Sequence, residues 1–93
     1  MEELIGVVKL WAGVRVPRNY RLCNGERLPI RGNEKIFTII SNRFGSDMGY
    51  RGEWFNLPDM RPVDESGHRL EWGESDVRYI ICVEGVYPMH NDF

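Results

Sequence analysis

The distribution of apolar positions predicts a β-strand at each end of the chain. Almost every position of residues 4–12 is apolar, with Lys9 as the interruption, which favours a strand covered on both faces. Residues 77–87 form a second apolar stretch, in which successive side chains point to opposite faces of a strand. One face carries Ile80, Cys82 and Val86, and the other carries Tyr79, Ile81, Val83 and Tyr87. We expect the two terminal strands to pair.

The apolar period becomes helical in the middle of the chain. Within residues 33–44 the apolar positions at helical spacing are Ile36, Phe37, Ile40 and Phe44. Asn33 is placed to cap the N-terminus and Gly45 to follow the C-terminus, which predicts a helix of about three turns. Its β-branched residues lower the intrinsic helix propensity, so packing has to stabilise it.

A turn signal lies within residues 20–30. Asn24-Gly25 stands between two strand-like arms, and this pair accepts the positive φ angles of a type I′ turn, which predicts a β-hairpin. Pro29 makes the second arm short or places it at a sheet edge. The elements together predict one α+β domain over residues 1–93: small and mostly β, with short strands, one hairpin, a single central helix and a shortened polar loop at 63–76.

Composition narrows the class of protein. With 93 residues, 42% of them hydrophobic, the chain suits one domain with its own core. The formal net charge is -2 with acids and bases interspersed, which argues against a nucleic-acid partner. No apolar run approaches the roughly 20 residues of a membrane helix. The acidic start of the chain, followed by a short apolar run, predicts no signal peptide.

The two cysteines, Cys23 and Cys82, each lie within a strand-like apolar pattern. Buried thiols that pack as small hydrophobic groups are the favoured interpretation. A single disulfide between them remains an alternative if their strands are neighbours, since it depends on the Cα separation.

The motifs of the common catalytic and metal centres are missing. There is no nucleotide-binding glycine loop and no GxSxG motif, and His68 and His90 lie in polar segments without an adjacent nucleophile. The cysteines and histidines are too dispersed to seed a zinc site. We therefore predict no enzyme activity, no cofactor and no metal.

Two functional hypotheses remain around residues 45–59. The carboxylates of Asp47, Glu53 and Asp59 flank a glycine-rich loop and are candidates for glycoside hydrolysis. Alternatively, the aromatic rings of Tyr50 and Trp54 are candidates for stacking on a sugar or for contacting a partner. Against both stands the more frequent case, in which an aromatic pair at a strand start belongs to the core.

The segment WFNLPDMRP at 54–62 has a structural interpretation as well. Pro58 fixes its own φ and extends Leu57, which turns that side chain inward. Asp59 is placed to accept backbone N–H groups in an Asx turn, and Arg61 to bind Asp59 or a carbonyl group. Trp54 alternates with Phe55 and should face the opposite way.

The order of these motifs resembles the phage tail collar domain family. They are IGVV at 5–8, WAG at 11–13, Pro17, YRLCNG at 20–25, IF at 36–37, FG at 44–45, FNLPDMR at 55–61 and YIICVEGVYP at 79–88. The positions that carry the resemblance are Gly13, Pro17, Tyr20, Cys23, Gly25, Phe37, Phe44, Gly45, Phe55, Leu57, Pro58, Asp59, Arg61 and Gly85. Tyr20 replaces the usual Trp, Pro62 replaces a common Gly, and the following segment is short.

The resemblance implies a non-enzymatic structural or assembly module without a cofactor. It implies self-association, with a trimer as the expected oligomer, or assembly with other tail-fibre proteins, and a place in the virion tail if a phage encodes the chain. A bacterial or prophage-derived domain in the cytoplasm is the alternative location, and a small carbohydrate- or cell-surface-binding module is the alternative function. The short 63–76 segment leaves little room for a receptor-binding insert.

Overall fold

A computed structural model describes residues 2–47 and 53–88 of the chain. Its elements in chain order are β1 Val8–Trp11, β2 Tyr20–Leu22, β3 Arg27–Pro29, α1 Glu34–Ile40, β4 Ser46–Asp47, β5 Trp54–Asn56 and β6 Arg78–Cys82. The strands form two antiparallel three-stranded sheets, with the orders β1-β6-β2 and β3-β5-β4. The described part of the chain is thus mostly β with one short helix, which is compatible with the α+β class.

The predicted pairing of the terminal strands is confirmed. β1 runs antiparallel to β6 with Val8 opposite Ile81 and Trp11 opposite Arg78. β6 is the central strand of its sheet, because β2 pairs with its other edge. Ile80, Ile81 and Cys82 are each at most 1% exposed, as expected of a strand covered on both faces.

The prediction that both faces of the first strand are covered is wrong for the isolated chain. β1 lies at the edge of its sheet, and Val8 and Leu10 are 37% and 57% exposed. The fully buried apolar residue of the segment is Ile5, which precedes the strand. An apolar run identifies a β-strand, but the position of that strand in the sheet depends on pairings elsewhere in the chain.

The predicted hairpin at Asn24-Gly25 is also wrong. β2 and β3 flank this pair but belong to different sheets. Gly25 has the predicted positive φ of 78°, whereas Asn24 does not, so the type I′ turn does not form. Asn24 instead bridges to Asp59. The backbone groups of residues 23–26 find partners in the 57–60 segment, and the chain crosses from one sheet to the other.

The helix is present but is shorter than predicted. α1 ends at Ile40, and Ser41 takes a left-handed φ of 55°. Asn33 occupies the N-cap position, but its side chain donates to the carbonyl oxygen of Pro29 (2.9 Å) and does not cap the helix. Phe44, which the pattern placed on the buried face of the helix, lies beyond it and is 40% exposed. Gly45 therefore lies beyond the C′ position that the pattern predicted for it.

The core lies between the helix and the two sheets. Its buried residues are Ile5, Cys23, Leu28, Ile36, Ile40, Phe55, Leu57 and Ile81. Phe37 contacts Phe55 edge-on with ring centroids 5.1 Å apart. Both cysteines are buried free thiols, as the favoured interpretation predicted. Burial raises the pKa of the Cys23 thiol to about 11.

Candidate functional site: the junction between the sheets

Two short segments hold the sheets together, and we call them the junction: residues 23–26 and 56–61. The N–H of Cys23 donates to the carbonyl of Tyr79 in β6 at 3.0 Å, and the carbonyl of Cys23 accepts from the N–H of Met60 at 2.8 Å. The N–H of Leu57, which follows β5, donates to the carbonyl of Glu26 at 2.9 Å. The segment after β2 is thus bonded to β6 on one side and to the 57–60 segment on the other.

Gly25 allows the two segments to approach closely. Its φ of 78° is unfavourable for a side chain, and an added Cβ would lie 3.1 Å from Oδ2 of Asp59. Its N–H donates to the carbonyl of Pro58 (3.1 Å), and its carbonyl accepts from Nδ2 of Asn56 (3.0 Å). The glycine is required here by its backbone conformation and by the nearness of Asp59.

Asp59 and Arg61 form a two-point ion pair within the junction. Nε and Nη2 of Arg61 donate to Oδ1 and Oδ2 of Asp59 at 2.9 and 2.8 Å. The backbone N–H of Arg61 also donates to Oδ1 at 3.2 Å, which is the Asx turn that the sequence predicted. The hydrogen bonds from Arg61 hold the pKa of Asp59 below its usual value, even though partial burial acts in the opposite direction.

The same ion pair anchors the polar loop that follows. Nη1 of Arg61 donates to Glu71 at 2.5 Å, and Nη1 of Arg69 donates to the carbonyl of Arg61 at 2.6 Å. Nε of Arg69 lies 3.9 Å from Oδ2 of Asp59. Charges from the junction and from the polar loop therefore compensate one another around the Asp59 carboxylate.

The ion pair between Asp59 and Arg61 argues against the hypothesis that Asp59 is a catalytic acid in glycoside hydrolysis. A general acid needs a raised pKa, whereas the pKa of Asp59 is lowered by its guanidinium partner. Asp59 lines an open groove of about 710 Å³, and neither Asp47 nor Glu53 is among the residues that line it. Among the described residues, no group of three or more His, Cys, Asp or Glu side chains is placed to hold a metal ion.

Of the two aromatic residues proposed for stacking or partner contact, Tyr50 and Trp54, the structure describes only Trp54. Trp54 is 38% exposed while its neighbour Phe55 is 0% exposed, so the two rings face opposite ways as the alternation predicted. Tyr50 lies outside the described residues, and the proposed aromatic pair therefore has only Trp54 as a described member.

Gly13 and Tyr20 lie around the sheet that contains β6. An added Cβ at Gly13 would meet the Trp11 ring at 2.6 Å, and the carbonyl of Gly13 accepts from Nη2 of Arg78 at 2.8 Å. The hydroxyl of Tyr20 donates to Oε1 of Glu3 at 3.0 Å. The carbonyl of Pro17 accepts from the N–H of Tyr20 at 3.2 Å, which closes the turn before β2.

Gly45 and Gly85 lie at close contacts of the backbone. Gly45 has a φ of 110°, and its carbonyl accepts from the N–H of Asn56 at 2.9 Å. Gly85 has no positive φ, but an added Cβ would lie 2.3 Å from the carbonyl oxygen of Glu3. Phe44 lines the groove beside Asp59 and is partly exposed.

Several residues of this region were missed by the sequence argument. Glu3 binds both Lys9 (2.9 Å) and Tyr20, and Asn56 bonds across the junction. Arg69 reaches back to Arg61 and Asp59. No local pattern identifies these side chains, because each contacts a residue from another part of the chain.

The sequence of the chain matches a known protein family. The family model described as Phage Tail Collar Domain matches residues 6–63, which is 58 of the 93 residues. No curated protein and no solved structure matches the chain. The matched region contains both segments of the junction, from Cys23 through Arg61, whereas β6 and Gly85 lie beyond it. The chain belongs to the phage tail collar domain family.

Proposed function

We propose that this chain is a non-enzymatic structural module of a phage tail that associates with copies of itself, with a trimer as the expected form, and with other fibre proteins. The family match over residues 6–63 is the observation that carries the proposal. The match supports the virion tail as the proposed site of action.

The roles of the family positions support a structural function. Phe55, Leu57 and Cys23 fill the core at no more than 1% exposure. Asp59 and Arg61 satisfy each other and anchor a loop, so their charges are used within the fold. We expect residues that hold two sheets together in a module that transmits load. A module of this kind does not need to bind a small molecule.

The exposed apolar surface supports self-association. Leu10 is 57% exposed, Val14 is 84% exposed and Val77 is 50% exposed in the single chain. Exposed apolar side chains occur singly on any protein, but many of them on a domain of this size favour a contact with another chain.

Two measurements test the proposal. Light scattering after size-exclusion chromatography should give a mass near a multiple of the chain mass of 10.9 kDa, and a mass of one chain at every concentration would contradict self-association.

Mass spectrometry of purified particles from the phage or lysogen that encodes the chain should detect its peptides. Their absence from intact particles, with other tail proteins present, would contradict the tail location.

Within residues 2–47 and 53–88, no helix has the length and apolar character needed to cross a bilayer. The single described helix has seven residues.

A further inference from the structure

We infer that a second copy of this chain docks on one surface, which we call the β1 groove. It consists of the groove beside Asp59, which the exposed side chains of Val8, Phe44 and Met60 line, together with the exposed side chain of Leu10, which follows Val8 on the same face of β1 but does not line the groove itself. The inference rests on the proposed self-association and identifies the surface that carries it.

Exposed apolar side chains line the β1 groove. Val8, Phe44 and Met60 line the same groove, and their exposed fractions are 37%, 40% and 39%. Leu10 lies two residues beyond Val8, on the same face of the strand. Leu57, which is buried at 1% exposure, also lines the groove. Apolar side chains from β1, from the segment after α1 and from the junction therefore border one groove, which Asp59 and Arg69 line as well.

Beside these side chains, the backbone of β1 is open on one edge. The sheet order β1-β6-β2 leaves β1 with a single described neighbour. An edge strand presents N–H and carbonyl groups that can pair with another chain. Its one charge, Lys9, alternates to the opposite face, where it binds Glu3 (2.9 Å) and lies 4.9 Å from the centre of the Tyr20 ring. Lys9 therefore brings no charge to the apolar side.

The amino-acid pattern of β1 is that of a covered strand. Residues 4–12 are almost continuously apolar, which is typical of strands buried on both faces. In the single chain, β1 has one open edge and two half-exposed apolar residues. A second chain on this surface buries these apolar side chains, which agrees with the composition of the strand.

Charge favours a second copy over a highly charged partner. Asp59 in the groove is already paired with Arg61 and lies near Arg69, so no uncompensated charge has to be buried there. With a net charge of -2, copies of the chain repel one another only weakly. An apolar contact with compensated charges resembles the interface of permanent homo-oligomers.

The first test compares two equivalent leucine substitutions. Leu10→Lys in the β1 groove should raise the dissociation constant between chains at least about tenfold, since burial of a leucine accounts for that factor or more. Leu4→Lys is the control: Leu4 is 46% exposed, against 57% for Leu10, but it lies outside β1 and forms a backbone bridge to Val86. It should leave the dissociation constant within about twofold, and circular dichroism should show both variants folded.

The second test does not introduce a charge. Both native thiols are buried, so an alkylating reagent reports mainly on an introduced cysteine. Leu10→Cys should react slowly in the associated state and rapidly after dilution to the monomer, while Leu4→Cys should react equally in both states. Equal reaction of Leu10→Cys in both states would show that the β1 groove stays open.

The outcomes separate this inference from the proposed function. If the unmodified chain is monomeric at all concentrations, the self-association itself is wrong. If it associates and Leu10→Lys has no effect, or if Leu4→Lys weakens association equally, the β1 groove is not the specific contact.

Discussion

Replacement of Gly85 by alanine should disrupt the contact between the N-terminal segment and the end of β6. Since Gly85 does not have a positive φ, its backbone conformation tolerates alanine. The new Cβ, however, would lie 2.3 Å from the carbonyl oxygen of Glu3 and 3.1 Å from Sγ of Cys82. The first contact is with backbone, so Glu3 or the 85–86 segment has to move.

The expected cost follows from what that movement breaks. The N–H of Val86 donates to the carbonyl of Glu3 at 2.9 Å, and the N–H of Ile5 donates to the carbonyl of Val86 at 2.9 Å. Loss of the two bonds costs about 2 kcal/mol, and partial exposure of Ile5, now at 2%, adds about 1–2 kcal/mol. Alanine recovers about 0.4–1 kcal/mol by restricting the unfolded chain. The net loss of unfolding free energy is therefore about 2–3 kcal/mol.

Urea and thermal unfolding, followed by circular dichroism, measure this loss. The melting temperature should fall by roughly 10–20 °C for a domain of this size. Gly73→Ala is the matched control: there the nearest atom is Oδ2 of the flexible, exposed Asp76 side chain at 3.3 Å. It should change the melting temperature by no more than a few degrees. A Gly85→Ala protein as stable as its parent would refute the reasoning from the backbone clash.

Three further predictions concern the junction and the core. Gly25→Val should lower the unfolding free energy by about 1 kcal/mol or more. The loss should exceed that of Gly32→Val, because both glycines have positive φ but only Gly25 faces Asp59. Equal losses in the two variants would exclude a contribution from the contact with Asp59. Asp59→Asn should lower the urea midpoint at pH 7, and the difference from the parent should shrink below about pH 4. The folded pKa of Asp59 is lowered, so its stabilisation is complete above the unfolded pKa and is lost as pH falls through the folded pKa; a difference that is constant with pH would contradict this assignment. Finally, Cys23 and Cys82 should resist iodoacetamide in the native protein and react in denaturant, because both thiols are buried and their pKa values are raised; rapid native labelling would contradict their burial.

The sequence by itself determined features that depend on short-range chemistry. The alternation of Trp54 and Phe55 assigned one ring to the surface and one to the core, because successive strand residues face opposite ways. The Asx turn at Asp59 is equally local, since the acceptor and the donor are two residues apart. The ordered motifs indicate the family without any tertiary information, and the family match confirms it.

The tertiary structure decided which backbone groups pair over long distances. Asn24-Gly25 favours a hairpin locally, but the backbone groups around it bond to the 57–60 segment, and the chain crosses between the sheets. The helix ends at Ile40, where Ser41 takes a positive φ, although the apolar period of the sequence continues to Phe44. The exposure of Val8 and Leu10 arose because β1 became a sheet edge. Local preferences amount to about 1 kcal/mol or less, and burial and backbone pairing between distant segments outweigh them.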